Sequence, residues 1–255
     1  MEIKINEKKI NYLIEGDGKE TVVLLHGWGA NIQTMLPISK ILSDKYRTIL
    51  IDLPGFGESE KPDEVLNSFD YAKIIIKILD ELKIDKAIFI GHSFGGKISA
   101  IISSLYKDRV IKTVLIDAAG IKPKRSITYY LKVYRFKFLK KIYMLIPASN
   151  KYKNLEKFYK KFGSDDYQAA NGVMRKILVT VVNEDIKPLL KDIDCEVLLI
   201  WGDNDDATPL YMGKTFEKEI KNGGLVVLEN AGHFSYIDNY SVFRAVINSY
   251  LNQGD

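Results

Sequence analysis

The chain runs to 255 residues, 46% of them apolar, and carries 37 Lys and Arg against 33 Asp and Glu for a net charge of +4. This composition suits a globular protein with a large buried core and excludes an internal disulfide, because Cys195 is the only cysteine. No run of about 18 apolar residues is present to span a bilayer, and Met1-Glu2-Ile3-Lys4-Ile5 lacks the charged-then-apolar layout of a signal peptide, so a cytoplasmic protein is expected.

In chain order, the first extended runs are 2–6 and 9–14, close enough to form a hairpin, followed by 21–25, 47–51, 86–90, 111–116, 196–201 and 224–228. The later runs are almost continuous Val, Ile and Leu, the pattern of parallel strands buried on both faces. Helical segments are expected between them at 31–43, 68–83, 94–107, 209–220 and 238–252. Asn67-Ser68 supplies an N-cap, and Pro209 fits the first turn of its helix. A hairpin followed by alternating strand and helix implies an α/β fold, with a mostly parallel eight-stranded sheet covered by helices on both faces. The stretch 121–187 breaks the rhythm, with helical periodicity and no strand. It reads as an inserted helical cap, with 1–120 and 188–255 as the core, and it would lie over the carboxyl ends of the strands, where open α/β sheets bind ligands. Charge is concentrated there: residues 122–161 hold 13 Lys and Arg and one acidic residue, Glu156, which leaves about −8 for the remainder.

Gly91-His92-Ser93-Phe94-Gly95 follows the run 86–90 and precedes a helix, the setting of a nucleophile elbow. A sharp turn there lifts the Ser93 hydroxyl clear of the sheet, and glycines avoid collision of a β-carbon with neighbouring backbone. His26-Gly27-Trp28-Gly29 follows the run 21–25, where the Trp28 N–H can face a developing oxyanion. The Phe94 N–H, at a helix N-terminus, is the second donor. A serine needs a base, and three histidines are available. His233 follows the last strand and completes the order serine, acid, histidine, whereas His92 abuts the nucleophile and His26 suits a structural role in its loop. For the orienting acid, Gly202 to Pro209 offers Asp203, Asp205 and Asp206. Asp205 has enough loop to turn toward the site, while the other two suit turns or caps. Asp117, at the end of the run 111–116, is the rival. The acidic cluster does not make a calcium loop, since it lacks glycine at the sixth position and has Lys214 where a bidentate glutamate belongs, so no metal is expected.

In this order, His26 to Gly29, Asp52-Leu53-Pro54-Gly55-Phe56-Gly57-Glu58-Ser59, Gly91 to Gly96, Gly202 to Pro209 and Ala231-Gly232-His233-Phe234 resemble the α/β-hydrolase superfamily over essentially the whole chain. The resemblance implies acyl transfer to water by Ser93, His233 and Asp205, with Trp28 and Phe94 as oxyanion donors, no cofactor, and a small, mainly apolar ester or thioester as substrate. Asp52 to Ser59 would be a scaffold turn. Related dehalogenases and epoxide hydrolases need an aspartate where Ser93 stands. Two other outcomes share the same residues: carbon–carbon bond hydrolysis, acyl transfer or elimination by the triad, and a ligand receptor that keeps the site. Residues of the cap, 121–187, are expected to contact substrate. Its cations alternate with Tyr129, Tyr130, Tyr134, Phe136, Phe138 and Tyr143. The simpler expectation puts lysines in water and aromatics toward pocket and core; the other is weak contact with a membrane surface or with anionic substrates. No recognition motif accompanies the charge, so nucleic acid is not an expected partner.

Overall fold

The computed structural model describes residues 1–123, 127–145 and 165–252; parts of the expected cap, 124–126 and 146–164, lie outside the described residues. Strands β1 (Glu2–Ile5) and β2 (Lys8–Glu15) form an antiparallel hairpin across Asn6-Glu7, both with positive φ (46° and 65°), as a two-residue turn matched to strand twist requires. Strand and helix then alternate through β3 (Thr21–Leu25), α1 (Ile32–Leu42), β4 (Arg47–Ile51), α2 (Ser68–Glu81), β5 (Ala87–His92), α3 (Phe94–Leu105) and β6 (Val110–Ile116). After β6 come α4 (Ile127–Leu145), α5 (Asp165–Ala169), α6 (Gly172–Asn183) and α7 (Lys187–Leu190). The sheet resumes with β7 (Glu196–Gly202), α8 (Tyr211–Glu219) and β8 (Gly223–Leu228), and α9 (Ser235–Asp238) and α10 (Tyr240–Leu251) follow.

The eight strands lie in the order β1-β2-β4-β3-β5-β6-β7-β8, antiparallel up to the β2–β4 pair and parallel from β4 onward. Side chains alternate along each strand, so the central strands feed two cores. Val22, Leu24, Ile88, Ile90, Val114 and Ile116 pack with Met35 and Ile38 of α1 and with Phe243 and Ile247 of α10. Val23, Leu25, Phe89 and Leu115 pack on the other side with Tyr71 and Ile75 of α2 and with Ile98 and Ile101 of α3. This double burial is why the runs are nearly uninterrupted Val, Ile and Leu.

Helix α2 starts as its sequence directs. Asn67 Oδ1 accepts from the amides of Phe69 and Asp70 at 2.9 and 3.0 Å, and Asp70 Oδ2 accepts from Asn67 N at 3.0 Å, a reciprocal cap. Ser68 plays no part in it and donates to Glu184 instead. Pro209, expected in the first turn of its helix, stands before α8 in a turn closed by Met212 N–H on Pro209 O at 2.7 Å. The segment is held back by the buried Trp201, whose Nε1–H donates to Thr208 O at 2.6 Å.

Helix α4 departs from the expectation that its aromatics face pocket and core. Val133, Phe136 and Leu139 are half-buried, and Phe136 meets Tyr167 of α5 edge-on at 6.3 Å, but Tyr134 and Phe138 point outward. A surface helix that is apolar on several sides can bury only the one that meets the body. The side chains of Tyr129, Tyr130 and Tyr143 lie outside the described residues. Farther along, Lys97 of α3 is buried, its Nζ 3.1 Å from Glu184 Oε2 and donating to Val181 O at 2.5 Å. Burial lowers the Lys97 pKa and the Glu184 charge opposes that shift. Since Glu184 also accepts from Ser68, this polar cluster ties the end of α6 to α2 and α3.

Replacing Asn67 with alanine removes the α2 cap and is expected to lower stability by about 1 kcal/mol, read as a reduced urea midpoint at an unchanged slope.

Candidate active site

The polar residues singled out in the sequence gather at the carboxyl ends of the parallel strands. Ser93 follows β5, Asp117 follows β6, Asp205 lies just beyond β7 and His233 just beyond β8. Ser93 has φ +52°, a conformation that costs a non-glycine residue of order 1 kcal/mol or more. The surroundings hold it there: its N–H donates to Ile116 O at 3.0 Å, and its carbonyl accepts from Ala119 N at 3.0 Å and Lys97 N at 3.1 Å. Strand and helix meet so closely that a β-carbon on Gly91 would stand 2.3 Å from Gly95 O, and one on Gly95 would stand 2.1 Å from Leu25 O.

His233 bridges the serine and one carboxylate. Its Nε2 is 2.9 Å from Ser93 Oγ and its Nδ1 is 2.9 Å from Asp205 Oδ2. Asp205 Oδ1 accepts from the amides of Ala207 and Thr208 at 2.8 and 2.9 Å, and Thr208 Oγ1 lies 2.7 Å from Oδ2. Burial would raise the Asp205 carboxyl, but hydrogen bonds from His233 and Thr208 outweigh it and hold the group below its ordinary range. An ionised Asp205 accepts a proton-bearing Nδ1, leaving Nε2 to accept from the serine hydroxyl.

Asp117, the rival acid, does not contact His233 by hydrogen bond. Its Oδ1 accepts from Gly202 N at 2.9 Å, its Oδ2 accepts from Ser235 N at 3.1 Å, and its carbonyl lies 2.9 Å from Thr208 Oγ1. It thus joins the end of β6 to the loops that carry both Asp205 and His233. Burial pushes its carboxyl up to about 7, with the Asp205 charge adding to the shift and hydrogen bonds from Ser235 and Gly202 opposing it. His92 is buried beside His233, with Nε2 2.7 Å from the His233 carbonyl. A carbonyl only accepts, so Nε2 carries the hydrogen; burial and the neighbouring His233 push this imidazole down to about 3. Its Nδ1 has no partner among the described residues. His26 Nε2 accepts from Leu53 N at 3.0 Å, a loop contact that gives it no path to the serine.

The His26–Gly29 loop approaches Ser93. A β-carbon on Gly27 would lie 3.2 Å from Ser93 Cβ, and the Trp28 ring packs edge-on against Phe56 and Phe94, with centroids 4.8 and 5.6 Å apart. Neither Trp28 N–H nor Phe94 N–H has an acceptor among the described residues. A cavity of about 200 Å³ opens beside Trp28, walled by Gly55, Phe56 and Lys61 on one side and by Asp166, Ala169, Ala170, Asn171 and Met174 of the α5–α6 region on the other. No cluster of three or more His, Cys, Asp or Glu placed to hold a metal ion occurs among the described residues.

Sequence reasoning passed over Thr208, although Asp-x-x-Thr at 205–208 is the spacing by which a carboxylate caps the amides that follow it. It also missed His92 as a clamp on the His233 backbone. No local signal marks that bond, which joins residues 141 positions apart.

A family model described as alpha/beta hydrolase fold matches residues 20–240. The uncharacterized hydrolase YugF of Bacillus subtilis (strain 168) is 28% identical over 232 residues, covering 86% of this chain and 85% of its own. A 2-hydroxy-6-oxononadienedioate/2-hydroxy-6-oxononatrienedioate hydrolase of Pseudomonas putida is 26% identical over 262 residues, covering 95% of this chain and 91% of its own. Among solved structures, the thermophilic esterase of Thermogutta terrifontis superposes with a TM-score of 0.76 at 21% identity, covering 99% of this chain and 98% of that one.

The buried Asp117 sets a pH dependence of stability. Its folded pKa lies above the ordinary value of 3.8, so the unfolded chain releases this proton first and the group disfavours folding increasingly as pH rises from about 4 to about 7. Relative to Asp117→Asn, the wild type is expected to lose about 2–3 kcal/mol between pH 5 and pH 8 in paired urea titrations, with no further loss above that range.

Proposed function

This chain belongs to the alpha/beta hydrolase fold family, and on that premise we propose that it is a serine hydrolase cleaving an ester or thioester of a small, mainly apolar substrate through an acyl-enzyme. The observation that carries this reading is the unbroken polar line from Ser93 Oγ through His233 to Asp205, with both contacts at 2.9 Å. Ser93 attacks the carbonyl carbon while His233 Nε2 takes the hydroxyl proton. The tetrahedral oxyanion rests on the amides of Trp28 and Phe94, and one such donor is worth about 10²–10³ in rate. Collapse expels the alcohol or thiol, which leaves with the proton held by His233. Water then repeats the sequence, with His233 as base, to release the acid. Asp205 stays ionised and fixes the imidazole tautomer. The helices between β6 and β7 form the cap of this reading, with the α5–α6 region supplying one wall of the substrate cavity.

The relatives named for 2-hydroxy-6-oxononadienedioate hydrolysis favour a second reading, cleavage of a carbon–carbon bond next to a ketone by the same residues. Such a substrate is a diacid. Of the described residues lining the cavity, Lys61 is the one cation and Asp166 opposes it, while Trp28, Phe56, the two alanines and Met174 are apolar. Burying two carboxylates there is costlier than burying an uncharged ester.

Labelling with a fluorophosphonate followed by peptide mass spectrometry tests the assignment. The adduct is expected on Ser93 and absent in Ser93→Ala. Asp205→Asn should slow labelling by about 10³-fold or more and Asp117→Asn by less than about tenfold. The reverse order of the two aspartates would give the triad to Asp117, and an unlabelled folded protein would favour a ligand receptor. Turnover of short-chain chromogenic esters, set against a dienol-ketone diacid, separates ester from carbon–carbon cleavage.

A further inference from the structure

Helix α4 presents two apolar faces. The inner one, Val133, Phe136 and Leu139, is half-buried and meets α5 through Phe136 and Tyr167. On the opposite side Ile127, Leu131, Tyr134 and Phe138 are 80, 63, 66 and 63% exposed. Their spacing of four, three and four residues brings them onto one line along the helix, about 16 Å long. Exposed Arg135 borders this line on one side and exposed Lys137 and Lys141 on the other. The helix as a whole has five basic residues and no acidic one. A solvated helix face gains nothing from four aligned large apolar side chains, and a contiguous patch of that kind marks a surface built to be covered.

We propose that α4 docks on an anionic phospholipid surface, laying Ile127, Leu131, Tyr134 and Phe138 into the interface with Arg135, Lys137 and Lys141 against the headgroups. Charge selects this occupant. Helix α4 carries five cations and no acid, and Arg135, Lys137 and Lys141 flank its apolar line, so that side meets an anionic surface favourably. A second copy meeting α4 face to face would bring two cationic helices together. No helix among the described residues is long and apolar enough to cross a membrane, so the helix lies on the surface and does not span it. The inference holds whichever bond the active site cleaves.

Flotation of the full chain with vesicles of phosphatidylcholine alone, and of phosphatidylcholine with about 30% phosphatidylglycerol, tests it. Binding is expected on the mixed vesicles only, falling at least about tenfold between about 50 and 500 mM NaCl. The double variant Leu131→Ser, Phe138→Ser should bind at least about tenfold more weakly at low salt, and Lys137→Gln or Lys141→Gln about fivefold more weakly each. These side chains are exposed, so the melting temperatures of the variants should match wild type; a marked fall would mean that the residues are packed inside the protein and would overturn the proposal. It is likewise overturned by failure to bind the mixed vesicles, by equal binding to both kinds, or by binding that the apolar variant leaves intact. A dimer in sedimentation that the same variant dissolves would assign the face to a second copy and overturn it too.

Discussion

The turn at Ser93 is the constraint on which the rest of the site depends. A residue with a side chain is held at φ +52°, and the cost is offset by what the turn brings together. Its carbonyl receives two amides, its own amide is bound to the end of β6, and α3 can start only because Gly91 and Gly95 let backbone meet backbone. The result is a hydroxyl raised above the sheet, at the N-terminus of a helix, next to the Phe94 amide, which has no acceptor among the described residues. Any relaxation of the turn would lower the serine into the strand layer and break its contact with His233.

Two carboxylates at neighbouring strand ends receive opposite treatment. Asp205 is given the His233 ring, two amides and a hydroxyl, and stays ionised. Asp117 has two amides on its carboxyl but sits deeper, next to the charge of Asp205, and burial pushes it to about 7. The pair divides the work: one charge holds the His233 ring, and one strut keeps the loops of Asp205 and His233 in register with β6. His92 adds a third tie by donating to the His233 carbonyl from an imidazole too deeply buried to take up a proton. His233 is thus fixed through its ring by Asp205 and through its backbone by His92.

The segment between β6 and β7 follows different rules from the sheet. Its return is anchored: buried Lys97 pairs with half-buried Glu184 at the end of α6, and Ile186 N–H donates to Gly120 O at 2.8 Å. Its first helix is not sheltered in the same way, and its outward apolar line has no place in the core. Anchored return and outward-facing entry are consistent with one end of the insertion serving the cavity and the other meeting a surface.

Fold class, the succession of strands along the chain, a glycine-flanked turn at Ser93 and the place of His233 after the last strand are all legible in the residues alone. Each of these follows from local rules: continuous Val, Ile and Leu where strands are covered twice, glycines where backbones touch, and a histidine after the last strand. The sequence also pointed to Asp205 over Asp117, on loop length alone. Which carboxylate meets the imidazole was decided only in three dimensions, because both residues follow strands and differ in which donors surround them. Thr208 as a support, His92 as a backbone clamp, Pro209 held ahead of its helix and the outward face of α4 likewise came from packing. A residue's neighbours in space, far from it in the chain, set what it can reach, what solvates it and which of its faces stays wet, and periodicity carries no record of them.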